Sequence, residues 1–210
     1  MTRRLRWAVA LTGAGALAAC STSPNPAPVL LTLPPAALAP SAAAPGPAAS
    51  GAAATAAPLL AVRRVNIPEY LVARRVRYRA DASTLAEWPN TYWAERIEIG
   101  VSREFVSALR QQLPGWSLCD TNCSDQVPAL SLQLDLVPMD YLRSAKVLKA
   151  GARITLFGSG VAPKVLQVQE QAHELPSPAD TAQGQAQAMA ALIQQAAATA
   201  AAAIKRTPTP

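Results

Sequence analysis

From Ser21 to Pro58 the chain carries no charged residue and consists mainly of Ala, Pro, Ser and Gly. A segment of that make-up cannot bury enough apolar surface to offset the entropy of ordering it. It therefore confines folding to the residues beyond Pro58. With its prolines it should run extended, at about 3.1 Å per residue where polyproline-like, and reach on the order of 100 Å. One apolar island interrupts it, Val29-Leu30-Leu31-Thr32-Leu33, which has the look of a strand docking onto the domain from a distance. At Leu59 the composition changes abruptly: charges, aromatics and apolar periodicity all begin. Residues 59–206 are enough for one ordinary domain with a single core, and no internal repeat divides them.

Ahead of this segment lies a short export-type leader. Arg3, Arg4 and Arg6 form a basic start, and Trp7 to Ala19 is apolar or small throughout. That run is too short for a comfortable membrane span, which needs about 20 apolar residues. The layout is that of a secretory signal. Leu17-Ala18-Ala19-Cys20 resembles the lipobox of bacterial lipoproteins, in which the cysteine thiol takes a diacylglyceryl group and cleavage falls just before it. The resemblance implies a signal over 1–19, lipidation of Cys20, and a lipid-anchored linker over 20–58. Ser21, in place of Asp, resembles the outer-membrane default rather than inner-membrane retention.

Loss of the three leader arginines lowers the formal charge from +6 to +3. That is too weak a charge to argue for nucleic acid, and no basic run is interleaved with aromatics. Arg75, Arg77 and Arg79 share one face if they lie on a strand, with Arg74, Val76 and Tyr78 on the other. Such a row is either a solvated sheet face or a contact for acidic partners or lipid headgroups. Cys119 and Cys123 sit close together in a turn-rich segment. In an oxidising compartment they are expected to bridge; a metal site is the alternative, and it needs further ligands.

The periodicity predicts seven elements. Leu59–Ile67 and Arg74–Ala80 read as strands, the first ended by Pro68. Ile97, Val101, Phe105, Leu109 and Leu113 recur at four-residue steps, so 97–113 is a helix, closed by Pro114-Gly115. Leu130, Leu132, Leu134 and Leu136 alternate with polar residues and give a strand with one buried face. Ala152–Phe157 and Lys164–Glu170 are two more strands, joined by a hairpin turn at Gly158-Ser159-Gly160. A final Ala-rich helix runs from about Asp180, its expected N-cap, to Ile204. Gln183, Gln185, Gln187, Gln194 and Gln195 argue against that helix spanning a membrane. The order predicts an α+β fold: an antiparallel sheet with two helices packed on one face, preceded by a disordered linker.

One stretch is more specific than its periodicity. Val65-Asn66-Ile67-Pro68-Glu69-Tyr70-Leu71 is followed by Tyr92-Trp93-Ala94-Glu95, the helix, and Leu113-Pro114-Gly115-Trp116. This resembles the ABC-type transport auxiliary lipoprotein family, although Arg96-Ile97 replaces the usual Pro-Leu and the island at 29–33 lacks the family's tyrosines. The resemblance implies a role rather than a reaction. Such lipoproteins accompany MCE-domain proteins in machinery that moves lipids between the two membranes, from the periplasmic face of the outer membrane. Trp93 is expected to begin the helix and pack under the sheet edge, and Tyr70 beside it would make a partner-binding patch if both were exposed. Trp88 and Tyr92 are better candidates, in a loop made to project by Pro89-Asn90. No catalytic constellation is present: the single histidine, His173, reads as a surface residue, and no nucleophile elbow or phosphate loop occurs. Asp135 and Asp140 are too ordinary to read as paired carboxylates. No cofactor is expected beyond the covalent lipid. The rival reading is a lipid carrier holding an acyl chain in a groove between helix and sheet, or else a structural envelope lipoprotein.

Overall fold

The computed structural model describes residues 26–35, 57–120, 123, 126–160 and 162–208. Cys20 lies outside them. The strands are β1 (Val29–Leu31), β2 (Leu59–Val62), β3 (Arg75–Arg79), β4 (Leu85–Trp93), β5 (Ser117–Cys119), β6 (Leu130–Leu142), β7 (Val147–Gly158) and β8 (Val165–Pro176). The helices are α1 (Ile97–Gln112) and α2 (Ala182–Arg206), with a short 3-10 turn at Glu69–Leu71.

β6 is the spine of the sheet. Its alternating leucines point into the core, each no more than 1 % exposed. The strand continues past the point where its alternation stops. The register with β7 slips between Leu136 and Met139, so Met139 and Tyr141 take over the buried face. Pro138 sits in that slip, where its missing N–H costs no ladder bond. Gly151 lies opposite, and a Cβ there would come within 2.6 Å of the Val137 carbonyl oxygen.

β7 covers one side of β6 over its whole length, and β8 pairs with β7, both antiparallel. The other side of β6 is shared in series. β2 pairs parallel at Leu130–Leu132, Asn66 bridges to Asp135, and β3 meets Leu142. From β2 the sheet extends to β5; from β3 it extends to β4 and β1. The sheet is therefore mixed, not antiparallel as expected: β1/β4, β2/β5, β2/β6 and β3/β6 all run parallel. Alternation tells which face of a strand is buried, not which way its neighbour runs. The apolar island is a sheet strand, since β1 pairs with Thr91–Trp93 of β4.

The two helices lie side by side on the sheet, with α2 over β7 and β8. Phe105 and Leu109 of α1, and Leu192, Ala196, Ala197 and Ala200 of α2, are fully buried. The alanines let α2 approach closely. Its N-cap is Thr181, whose hydroxyl accepts from the Gly184 N–H at 3.0 Å, and not Asp180. Thr181 has the extended backbone a cap requires; Asp180 instead pairs with Arg143 at 3.1 Å. Cys119 and Cys123 are joined by a disulfide, with Cα atoms 5.3 Å apart.

Candidate functional site

The segment after β2 turns sharply. Pro68 closes the extended run, and the Leu71 N–H reaches back to the Pro68 carbonyl at 2.9 Å to form the 3-10 turn. Leu71 fills the core, while Tyr70 stays half-buried. The Tyr70 hydroxyl donates to Asp140 at 2.8 Å, and the Arg79 guanidinium lies 5.4 Å from its ring centre. Arg79 also donates to Asp140 at 2.9 Å, so the three side chains form one closed group. Burial and the neighbouring carboxylate raise the Tyr70 pKa, with Arg79 opposing. Asp140 raises that of Arg79 by accepting its hydrogen bond.

The chain then runs back against the end of β4. The Trp93 N–H donates to the Arg74 carbonyl at 2.7 Å, and the Ala94 N–H donates to the Leu31 carbonyl at 2.8 Å. These bonds set the end of β4 beside β1 and beside residues 72–74, which directly follow the first motif. Between them opens a recess of about 410 Å³, lined by Val72, Ala73, Arg74 on one side and Trp93 to Glu98 on the other. Its rim is charged in both signs. Arg96 pairs with Glu98, and Arg103 pairs with Glu95 at 2.6 Å and with Glu104 at 3.2 Å. The hydrogen bond from Arg103 to Glu95, then that to Glu104, raise the Arg103 pKa above its ordinary value. Arg74 is exposed and makes no ion pair among the described residues. Such a rim can grip a polypeptide through paired charges and main-chain bonds. It offers no nucleophile with an adjacent base.

The aromatic candidates separate. Trp88 and Trp93 are buried, at 6 % and 5 % exposed, so neither is a surface anchor. Pro89-Asn90 is not a projecting turn either; both residues lie within β4, where Asn90 takes φ 49°. Trp88 faces inward. Its indole N–H donates to Gln185 of α2 at 2.7 Å, its ring centre lies 5.0 Å from that of Tyr78, and the Arg143 guanidinium sits 4.3 Å over it. Tyr92 is half-buried on the outer face of the sheet, under Arg74 and Arg75. The arginine row does share one face: Arg75 and Arg77 pair with Glu87, and Arg79 with Asp140. His173 is not freely exposed. It is half-buried, with Nδ1 3.1 Å from the Gln195 side chain of α2. Ala94 lies within the second motif and Arg96 is the first residue after it, but neither stands out as a site residue from the sequence.

Three further features bear on chemistry. Among the described residues no group of three or more His, Cys, Asp or Glu side chains could hold a metal. Among them too, no helix is long and apolar enough to cross a membrane. The space between helices and sheet is filled by side chains at or near zero exposure, including Leu60, Leu134, Phe105, Leu192 and Ala196. Among the described residues, that packing leaves the interface between helices and sheet filled.

The domain is thus a mixed sheet with two helices laid on it, a filled interior and a charge-rimmed recess. The family model described as "ABC-type transport auxiliary lipoprotein component" matches residues 40–201, and the chain belongs to that family. No curated protein matches the sequence. Among solved structures, a crystal structure of an uncharacterized protein superposes with a TM-score of 0.66 at 18 % identity, covering 85 % of this chain and 99 % of its own. Protein XCC0632 from Xanthomonas campestris superposes with a TM-score of 0.52 at 14 % identity, covering 70 % of this chain and 85 % of its own. At such identities the likeness is one of fold.

Proposed function

We propose that this protein is a non-enzymatic accessory of an intermembrane lipid transport system of the ABC and MCE type. Cys20, lipidated after removal of residues 1–19, anchors it to the periplasmic face of the outer membrane. The folded domain docks an MCE-domain partner in the periplasm. The observation that supports this reading is the recess. Its walls are residues 72–74, which directly follow the motif 65–71, and residues 93–98, which include Trp93, Ala94 and Glu95 of the second motif. A structural requirement alone would be met by Leu71 and Trp93, which are buried; Ala94 and Arg96 are exposed and free to contact a partner.

The test is co-purification from the native envelope. Wild-type protein should bring down an MCE-domain protein. Ala94→Trp, which fills the recess, and Arg96→Glu, which reverses its rim, should lose that protein while keeping a wild-type urea midpoint. Capture that is equal for all three proteins would refute docking at the recess. Cys20→Ala should leave an unlipidated protein that no longer sediments with membranes; normal fractionation of that variant would refute the anchor.

A further inference from the structure

The place of β1 changes what residues 20–58 do. The Asn90 side chain donates to the carbonyls of Pro26 and Ala27, at 2.7 and 2.9 Å, and β1 begins two residues later. The chain is thus pinned to the domain at Pro26. Five residues separate that point from Cys20, a reach of about 20 Å at most. A linker free over its whole length would reach on the order of 100 Å. The segment between β1 and β2 is then an internal connection, and the tether is only the short piece before Pro26.

The surface next to that pin has a particular make-up. Leu30, Tyr92 and Arg75 stand in register across β1, β4 and β3 on the outer face of the sheet. Leu30 is 57 % exposed and Val29, beside it, 42 %. The Arg74 and Arg75 guanidiniums lie 5.9 and 5.1 Å from the Tyr92 ring centre. Three arginines here, Arg74, Arg75 and Arg77, face one carboxylate, Glu87, which pairs with the last two. An exposed aliphatic pair, an amphipathic ring and surplus guanidinium charge suit the boundary between headgroups and water.

We propose that this edge of the sheet rests against the headgroup layer of the bilayer that holds the Cys20 lipid. Arg74 and Arg75 engage anionic phospholipid headgroups, and Val29, Leu30 and Tyr92 sit at the interface. The proposal rests on lipidation of Cys20, the anchor of the proposed function. It orients the domain: the β8 edge, five inter-strand spacings away, stands about 24 Å further across the sheet.

The test uses the full lipidated protein in vesicles of phosphatidylethanolamine and phosphatidylglycerol that contain a headgroup-linked quencher. A thiol-reactive fluorophore is placed at Val29→Cys or, on β8, at Val168→Cys, both exposed positions. Quenching is expected at position 29 and not at position 168. Exchanging phosphatidylglycerol for a neutral lipid should weaken the contact, roughly fivefold for each engaged arginine. Leu30→Asp with Arg75→Glu should abolish quenching at position 29 while the protein still floats with the vesicles and keeps its urea midpoint. Equal quenching at both positions, or quenching indifferent to that double change, overturns the orientation and leaves the anchor standing. Failure of the parent protein to float with vesicles overturns the anchor, and the proposal with it.

Discussion

Replacing Gln185 by Leu should unfasten α2 from the sheet, at a cost that can be worked from two bonds. Gln185 is 2 % exposed, a polar residue on the apolar stripe of an Ala-rich helix. Its Oε1 accepts from the Trp88 indole N–H at 2.7 Å, and its Nε2 donates to the Arg77 carbonyl at 2.7 Å. One side chain therefore clamps the start of α2 to both β3 and β4. Leu removes both partners and leaves a buried indole N–H and a part-buried carbonyl unsatisfied. Each orphan costs about 1–3 kcal/mol. The Leu side chain recovers part of that through apolar burial, which leaves a net loss of about 2–4 kcal/mol. Against a whole-domain stability of roughly 5–15 kcal/mol this is large. Urea unfolding followed by tryptophan fluorescence should show a lower midpoint at unchanged slope. In a double-mutant cycle Trp88→Phe removes one of the orphans, so the pair should cost less than the sum of the singles by about 1 kcal/mol or more. A loss below about 0.5 kcal/mol for Gln185→Leu, or strict additivity with Trp88→Phe, would refute the clamp.

Gly151→Ala should destabilise by about 1–3 kcal/mol in the same assay, because its methyl would meet the Val137 carbonyl at 2.6 Å with no flexible side chain to move aside. Reducing the Cys119–Cys123 bridge, or replacing both cysteines by Ser, should cost about 2 kcal/mol, the value for so short a loop. Thr181→Ala should cost about 1 kcal/mol through loss of the α2 cap, while Asp180→Ala should cost less. The raised pKa of Tyr70 means the folded state holds its phenol proton more tightly than the unfolded chain. The stability this contributes is complete below the ordinary phenol range, about pH 10, and is lost as pH rises through the folded value. The stability gap between wild type and Tyr70→Phe should therefore narrow on going from neutral to strongly alkaline urea titrations; a constant gap would refute the assignment.

The elements with one clean buried face were legible. The leucines of β6 and the four-residue steps of α1 announce themselves because their opposite faces are polar. β4 was not legible, since Trp88-Pro89-Asn90 reads as a turn, and only the bulge against Arg75–Arg77 lets a strand absorb it. β7 and β8 were read short for a different reason. Lys149 and Gly151 blur the alternation in one. In the other, Gln171 and His173 face the amphipathic underside of α2 and bond to Thr199 and Gln195 rather than filling a core. For the recess, one wall was visible as the motif around Trp93 to Glu95, and the other, residues 72–74, only as the stretch after a motif. Their meeting was not, because it depends on hydrogen bonds from Trp93 and Ala94 to the carbonyls of Arg74 and Leu31, and main-chain pairing leaves no trace in side-chain pattern.

The serial sharing of one side of β6 has a consequence for how the chain comes into being. β6, β7 and β8 are consecutive and meet through short connections, so they can assemble as soon as they exist. β2 and β3 cannot join them at once, because β6 lies far downstream, at Leu130–Leu142. During synthesis from the N-terminus, β3 can pair with β4 and β4 with β1, but that piece and β2 have no spine to join until β6 emerges. Long-range pairing of this kind is slow to form. For a chain whose leader resembles an export signal, that delay keeps the early segments open and threadable, and reserves folding for the far side of the membrane.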